Sequence, residues 1–127
     1  METGLKTPKN FEDLEVWQKA IDLAVAIYGT TKTYPKDELY ALTNQMRRAA
    51  SSISANIAEG YGRYGIKEKT QFYKIANGSL LEVKSFCYLS QKLGYITIEE
   101  LDTILLAILP LQIQLNALIR AVGAKNE

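Results

Sequence analysis

Residues 45–60 carry two adjacent arginines, Arg47 and Arg48, and the pair Asn56 and Glu59, in a stretch otherwise made of small or aliphatic residues. Guanidinium groups suit phosphates and carboxylates alike, because their N–H donors form a rigid planar fork. On a helix, adjacent residues point about 100° apart, so Arg47 and Arg48 cannot both meet one partner squarely. Further cations follow at Arg63, Lys67, Lys69 and Lys74, with Tyr61, Tyr64 and Tyr73 among them. Cations among aromatics contact phosphates and stack on unpaired bases. The competing roles are structural. One arginine would pair with a carboxylate such as Glu59 or Glu82, in its own chain or a neighbour. The tyrosines would sit at bundle ends and interfaces, and the lysines would form a solvated face. Asn56 and Glu59, three residues apart, share a helix face. Asn56 is expected to bond across the bundle and fix its register.

Reaction chemistry is poorly supplied. The chain has no histidine, which removes the commonest general base and the commonest metal ligand. Glu59 would need a partner acid, base or metal, and no nucleophile–base set can be assembled. No catalytic residue, metal site, cofactor or small-molecule substrate is expected. Gly60-x-Gly62-x-x-Gly65 matches the dinucleotide-binding spacing but follows a helix rather than a strand, which rejects that reading. The single Cys87 cannot form an internal disulfide and fits a small core or interface position in a reducing compartment.

The totals bound the rest. At 127 residues, 47% hydrophobic and 23% charged, one soluble domain is expected. The net charge of +1 conceals a split. Residues 41–92 hold eight Lys/Arg against three Asp/Glu, whereas residues 1–40 and 93–127 each carry two excess acids. A basic middle with acidic ends marks an anion-binding face or complementary faces for self-assembly. Residues 1–10 are polar with no signal-like apolar core, and the longest apolar run, Ile104–Leu111, is eight residues and contains Pro110. No membrane association and a cytoplasmic location are expected.

Four helical stretches must position these groups. The first covers about 11–31, with Asn10 as N-cap and Leu14, Trp17, Ile21, Ala24 and Tyr28 on one apolar stripe. Tyr34-Pro35 then breaks the chain. The second runs from about residue 36 to Glu59, with Leu39, Leu42, Met46, Ala49, Ile53 and Ile57 facing inward and Gly60 as a left-handed stop. The third covers 66–93, with Phe72, Ile75, Ala76, Ser79, Leu80, Val83, Phe86 and Leu93 inward. Gly78-Ser79 inside it points to a close crossing against Ala49, Ser52 and Ala55. The fourth opens on a Thr97/Glu100 capping box and an Ile96/Leu101 staple and continues to about Val122. Pro110 should kink it. Its apolar residues occur on most sides, more than one buried face requires, which argues for burial against another subunit. The predicted fold is all-α: an antiparallel up-down-up-down four-helix bundle over 11–122, with flexible ends at 1–10 and 123–127.

The chain resembles the four-helix-bundle family of 23S rRNA-intervening-sequence proteins. The matching residues are Trp17, Ala20, Tyr34-Pro35, Glu38-Leu39-Tyr40, Leu42, Gln45, Arg47-Arg48-Ala49, Ile53, Asn56-Ile57-Ala58-Glu59-Gly60, Phe72, Ala76, Gly78-Ser79, Glu82, Leu93 and Tyr95. Genes of this family were first noticed inside intervening sequences of bacterial large-subunit rRNA genes. The resemblance implies a ring-like homopentamer with no enzymatic activity. A related branch serves diversity-generating retroelements, beside reverse transcriptase and RNA. The expected function is therefore a non-enzymatic, homo-oligomeric accessory or scaffold protein associated with RNA or DNA, using Arg47, Arg48, Arg63, Lys67, Lys69 and Lys74. Asn56, Glu59, Gly78, Ser79 and Glu82 are expected to serve structure or interfaces. The alternative is a protein–protein adaptor or structural oligomer that binds no nucleic acid.

Overall fold

The thin 45–60 stretch folds as the middle of the second of four long helices in the computed structural model, which describes residues 10–124. The helices are α1 (Glu15–Thr31), α2 (Leu42–Tyr61), α3 (Ile66–Lys92) and α4 (Ile98–Ala124), and no strand occurs among the described residues. Each helix packs against two others. The close approaches run α1–α2, α2–α3, α3–α4 and α4–α1, and neither diagonal pair of backbones comes as near. This is the arrangement of a four-helix bundle around one core. The expected flexible ends fall mostly on residues 1–9 and 125–127, outside the described residues, and α4 continues through Gly123 to Ala124.

Contacts along the helix pairs fix which ends meet. Tyr73 of α3 packs on Gly60 of α2, Ser79 bonds Ser52, and Ser90 donates to the Met46 sulfur. As α3 advances, its partners on α2 recede. Glu15 meets Gln114 at one end of the α1–α4 pair, and Leu23 and Ala26 lie with Ala107 and Pro110 further along.

The helix starts have local causes. The first expected helix is split: Phe11–Asp13 is a 3₁₀ turn, and extended Leu14 separates it from α1. Asn10 makes no side-chain cap bond. The second is also split, into a 3₁₀ turn over Lys36–Glu38 and α2 proper, with a break at Ala41. Glu38 bridges the break. One carboxylate oxygen accepts from the Leu42 amide at 3.4 Å, and the other accepts from the Tyr95 hydroxyl at 2.7 Å. That bond to a carboxylate holds the Tyr95 hydroxyl above the usual phenol range. At α4 the capping box forms as expected: the Thr97 amide donates to Glu100 at 2.8 Å, and the Glu100 amide to the Thr97 hydroxyl at 3.1 Å. Ile96 and Leu101 are both buried beside it.

The core departs from the expected stripes in instructive ways. On α1 the buried line is Val16, Ala20, Leu23, Ile27 and Thr31, while Trp17, Ile21 and Ala24 are half-buried and Tyr28 is exposed. Both stripes are apolar enough that the period fixes the helix but not its phase. On α3, Ile75 and Leu93 are exposed and Tyr73 takes a core place. Leu39 is exposed because it falls in the broken turn before α2.

Gly60 is not a left-handed stop. It lies inside α2, buried, and the only positive φ in the described chain belongs to Gly94, at 80°. A Cβ on Gly60 would meet the Tyr73 ring at 2.7 and 2.9 Å and the Phe72 Cβ at 3.1 Å. Its bareness makes room for a ring. Gly94 ends α3 in a Schellman motif, with Tyr95 N–H on the Ser90 carbonyl at 2.9 Å and Gly94 N–H on Gln91 at 3.0 Å. Gly78, expected at a close crossing, faces solvent, and a Cβ there would meet nothing within 4 Å. The crossing is made one residue later, at Ser79.

α4 is one continuous helix through Pro110. By length and composition it is long and apolar enough to cross a membrane. Its apolarity is divided between two sides. Leu101, Ile104, Ile108, Leu111, Leu115 and Val122 close the core, while Leu106, Leu109 and Ile113 point outward.

Candidate functional site

The six cations expected to contact RNA or DNA are spread over several parts of the bundle. Arg47 is half-buried between α2 and the end of α1. Its Nε donates to the Thr31 hydroxyl at 2.9 Å, its Nη2 donates to the Tyr28 carbonyl at 3.5 Å, and its guanidinium lies 5.0 Å from the Tyr28 ring centre. α1 has no basic residue in its own last turn. Arg47 supplies from the neighbouring helix the positive charge that the negative end of the macrodipole favours. Lys69 does the same for α2. Its Nζ donates to the Tyr61 carbonyl at 2.8 Å and to the Gly60 carbonyl at 3.3 Å. Here too the last turn holds no base of its own.

Arg63 bonds Glu59 at 2.9 Å and lies 4.9 Å from the Phe72 ring centre. Glu59 is therefore engaged, and neither Arg47 nor Arg48 pairs with it. The remaining cations, Arg48, Lys67 and Lys74, make no hydrogen bond or ion pair among the described residues. They sit apart. Lys67 and Lys74 flank a groove of about 670 Å³ beside the C-terminal end of α4, with Ile66, Thr70 and Gln71. Arg48 lines a second groove, about 480 Å³, on the outer α2–α3 seam, with Tyr40, Gln45, Ser52, Ser79 and Glu82. Arg48 and Glu82 share this groove without an ion pair.

The floor of that groove is the small-residue crossing. The Ser79 hydroxyl donates to Ser52 Oγ at 3.0 Å, and Asn56 Nδ2 donates to the same oxygen at 2.9 Å and to the Ser52 carbonyl at 2.8 Å. Asn56 thus bonds along its own helix, and Ser79 makes the link across. Tyr73, expected among the base-stacking aromatics, is 1% exposed, and burial pushes its hydroxyl up to about 12. Tyr64 is fully exposed, and Tyr61 is half-buried under Lys69. Cys87 is buried in the core, and burial alone pushes its thiol up to about 11, so little of it is the reactive thiolate. Among the described residues no group of three or more Cys, Asp or Glu side chains could hold a metal ion.

A family model described as 23S rRNA-intervening sequence protein matches residues 12–117, from the first 3₁₀ turn through most of α4. The chain belongs to that family. The Arg-Arg-Ala and Asn-Ile-Ala-Glu-Gly strings of this intervening-sequence protein fall on α2, and Gly78-Ser79 on the facing α3, so its most specific residues surround the α2–α3 crossing. A crystal structure of a protein of unknown function from the S23 ribosomal protein family of Bacteroides thetaiotaomicron is similar in fold. Its TM-score is 0.73 at 23% identity, over 82% of this chain and 97% of that one. No curated protein matches the chain.

Proposed function

We propose that this intervening-sequence protein is a non-enzymatic scaffold that assembles with copies of itself, each an up-down-up-down bundle with α4 bent at Pro110. The observation that carries the reading is the outer side of α4. Leu106, Leu109 and Ile113 are 72, 53 and 58% exposed in the single chain. A contiguous apolar line of this kind marks an interaction surface. Covering it with another copy removes it from water, and the family resemblance suggests five copies in a ring. Light scattering on the purified protein tests this: a mass several times the 14.2 kDa of one chain is expected, and a monomer at micromolar concentration overturns it.

Association with RNA or DNA is a second reading, favoured by Arg48, Lys67 and Lys74, which make no ion pair among the described residues. With Arg47 and Lys69 committed to helix ends, the available charge is smaller than the sequence suggests. Binding through three phosphate contacts on single strands gives a log–log salt slope of about −2. No binding to a mixed-sequence RNA at low salt overturns this reading and leaves self-assembly standing.

A further inference from the structure

The groove on the outer α2–α3 seam holds two opposite charges that do not pair with each other. Ser52 and Ser79 join the two helices at 3.0 Å. Arg48 lies about one turn before Ser52 on α2, and Glu82 about one turn after Ser79 on α3. The partners of α3 on α2 recede as α3 advances, so both steps lead the same way along the seam. Arg48 and Glu82 therefore stand on opposite walls of the 480 Å³ groove, over a floor of small residues, Ala49, Ser52 and Ser79. Both are exposed, and neither makes an ion pair among the described residues. Tyr40, in the broken turn before α2, stands at the rim and is 91% exposed.

These three side chains narrow the ligand by elimination. A phosphate suits Arg48 but is repelled by Glu82, and a cation suits Glu82 but is repelled by Arg48. An amino-acid zwitterion matches both charges, yet it offers Tyr40 no flat face. A guanine base meets all three. Its O6 and N7 accept two bonds from a guanidinium fork. Its N1–H and exocyclic amine donate two bonds to a carboxylate, and its ring stacks on an aromatic side chain. No other base accepts twice at one edge and donates from two nitrogens at the next. We infer that this groove binds an unpaired guanine base, with Arg48 on O6 and N7, Glu82 on N1–H and the amine, and Tyr40 against the ring. In a duplex the N1–H and the amine are already paired, so a base free of its partner is required. The ring belongs to a free guanine nucleotide or to a single strand, and the experiment separates the two. The inference deepens the nucleic-acid reading above by moving Arg48 from a phosphate to a base edge.

Fluorescence anisotropy on the full chain tests the groove with short labelled oligouridylates that carry one central guanine, adenine or hypoxanthine. The guanine strand should bind about tenfold tighter than the adenine strand, which turns an amino group toward the guanidinium where guanine has O6. The hypoxanthine strand, which lacks the amine that meets Glu82, should fall between them. Competition by unlabelled GMP and not by AMP assigns the site to free nucleotides as well; guanine preference without that competition assigns it to strands. Arg48→Lys keeps the charge but loses the fork, and Glu82→Gln keeps the size but loses the charge. Each should cut the guanine preference to less than about threefold. Both positions are exposed, so the mass of the assembly in light scattering should not change. Equal affinity for the guanine and adenine strands overturns the inference and leaves phosphate contact standing. GMP binding without binding of any strand overturns the nucleic-acid reading and keeps the site. No binding of any strand or of GMP overturns both. A changed mass in either variant shows that a second copy fills the groove, and also overturns the inference.

Discussion

Replacing Gly60 and Gly78 separately by alanine should move stability in opposite directions. Both glycines are interior to helices, where alanine is favoured by about 1 kcal/mol. At Gly78 nothing lies within 4 Å of a new Cβ, so Gly78→Ala should gain about 0.5–1 kcal/mol. At Gly60 the same methyl lands 2.7 and 2.9 Å from two ring atoms of Tyr73 and 3.1 Å from the Phe72 Cβ. Carbon atoms at best separation lie about 3.5–4.0 Å apart, so the ring would have to retreat by roughly 0.8 Å. Tyr73 is 1% exposed, so a shifted ring would press on the rest of the core. Overpacking of this kind costs about 1–3 kcal/mol. With two ring atoms and a backbone-anchored Cβ struck together, the upper part of that range applies, and the net loss should be about 1–2 kcal/mol. Urea melts of the three proteins at one fixed concentration give the comparison. Gly60→Ala combined with Tyr73→Leu should destabilise less than the sum of the two single changes, since the clash is shared. A Gly60→Ala protein as stable as Gly78→Ala would refute the argument that Gly60 exists to admit the ring.

Arg47→Met should cost about 1–2 kcal/mol through loss of the charge-assisted bond to Thr31 and the α1 end, whereas exposed Arg48→Met should stay within about 0.5 kcal/mol; parallel denaturant melts distinguish them. Thr97→Ala should cost about 1 kcal/mol by removing the hydroxyl that accepts from Glu100, readable in the same melts. Cys87 and Tyr73 are held neutral, at about 11 and about 12 against ordinary values of 9.0 and 10.0. The unfolded chain releases these protons first, so stability should fall as pH rises above about 9, and Cys87→Ala should delay the onset towards pH 10. Melts between pH 7 and 11 check this, and a flat profile would contradict the burial of both groups. In the folded protein at pH 8, Cys87 should react with a thiol reagent only at the rate of opening.

The helices were legible in the sequence wherever the signal is local. The Thr97/Glu100 box placed the start of α4 to the residue, and the third helix, read as 66–93, ends at Lys92 with Leu93 as its C-cap. Signals that depend on a neighbour were not legible. The role of Gly60 requires knowing that Tyr73 sits opposite. The duties of Arg47 and Lys69 are set by carbonyls on other helices, so a count of cations overstated the charge available to a ligand. On α1 two apolar stripes differ by one residue, and only packing chooses between them. The α2–α3 crossing was legible as small residues facing Gly78-Ser79, but only packing shows that Ser79 makes the contact and Gly78 faces outward.

Arg47 and Lys69 tie the ends of two helices to the helices that follow them. Neither end is complete in a fragment that stops before its partner. A chain cut after Gly62 would keep all of α2 and yet leave the Gly60 and Tyr61 carbonyls without the Lys69 ammonium. A chain beginning at Leu42 would retain Arg47 with no helix end to receive it. Fraying at each of these ends is therefore coupled to undocking of the next helix. The bundle should open as one cooperative unit rather than peel from a terminus, and amide protons near Thr31 and Tyr61 should exchange with the global unfolding rather than ahead of it.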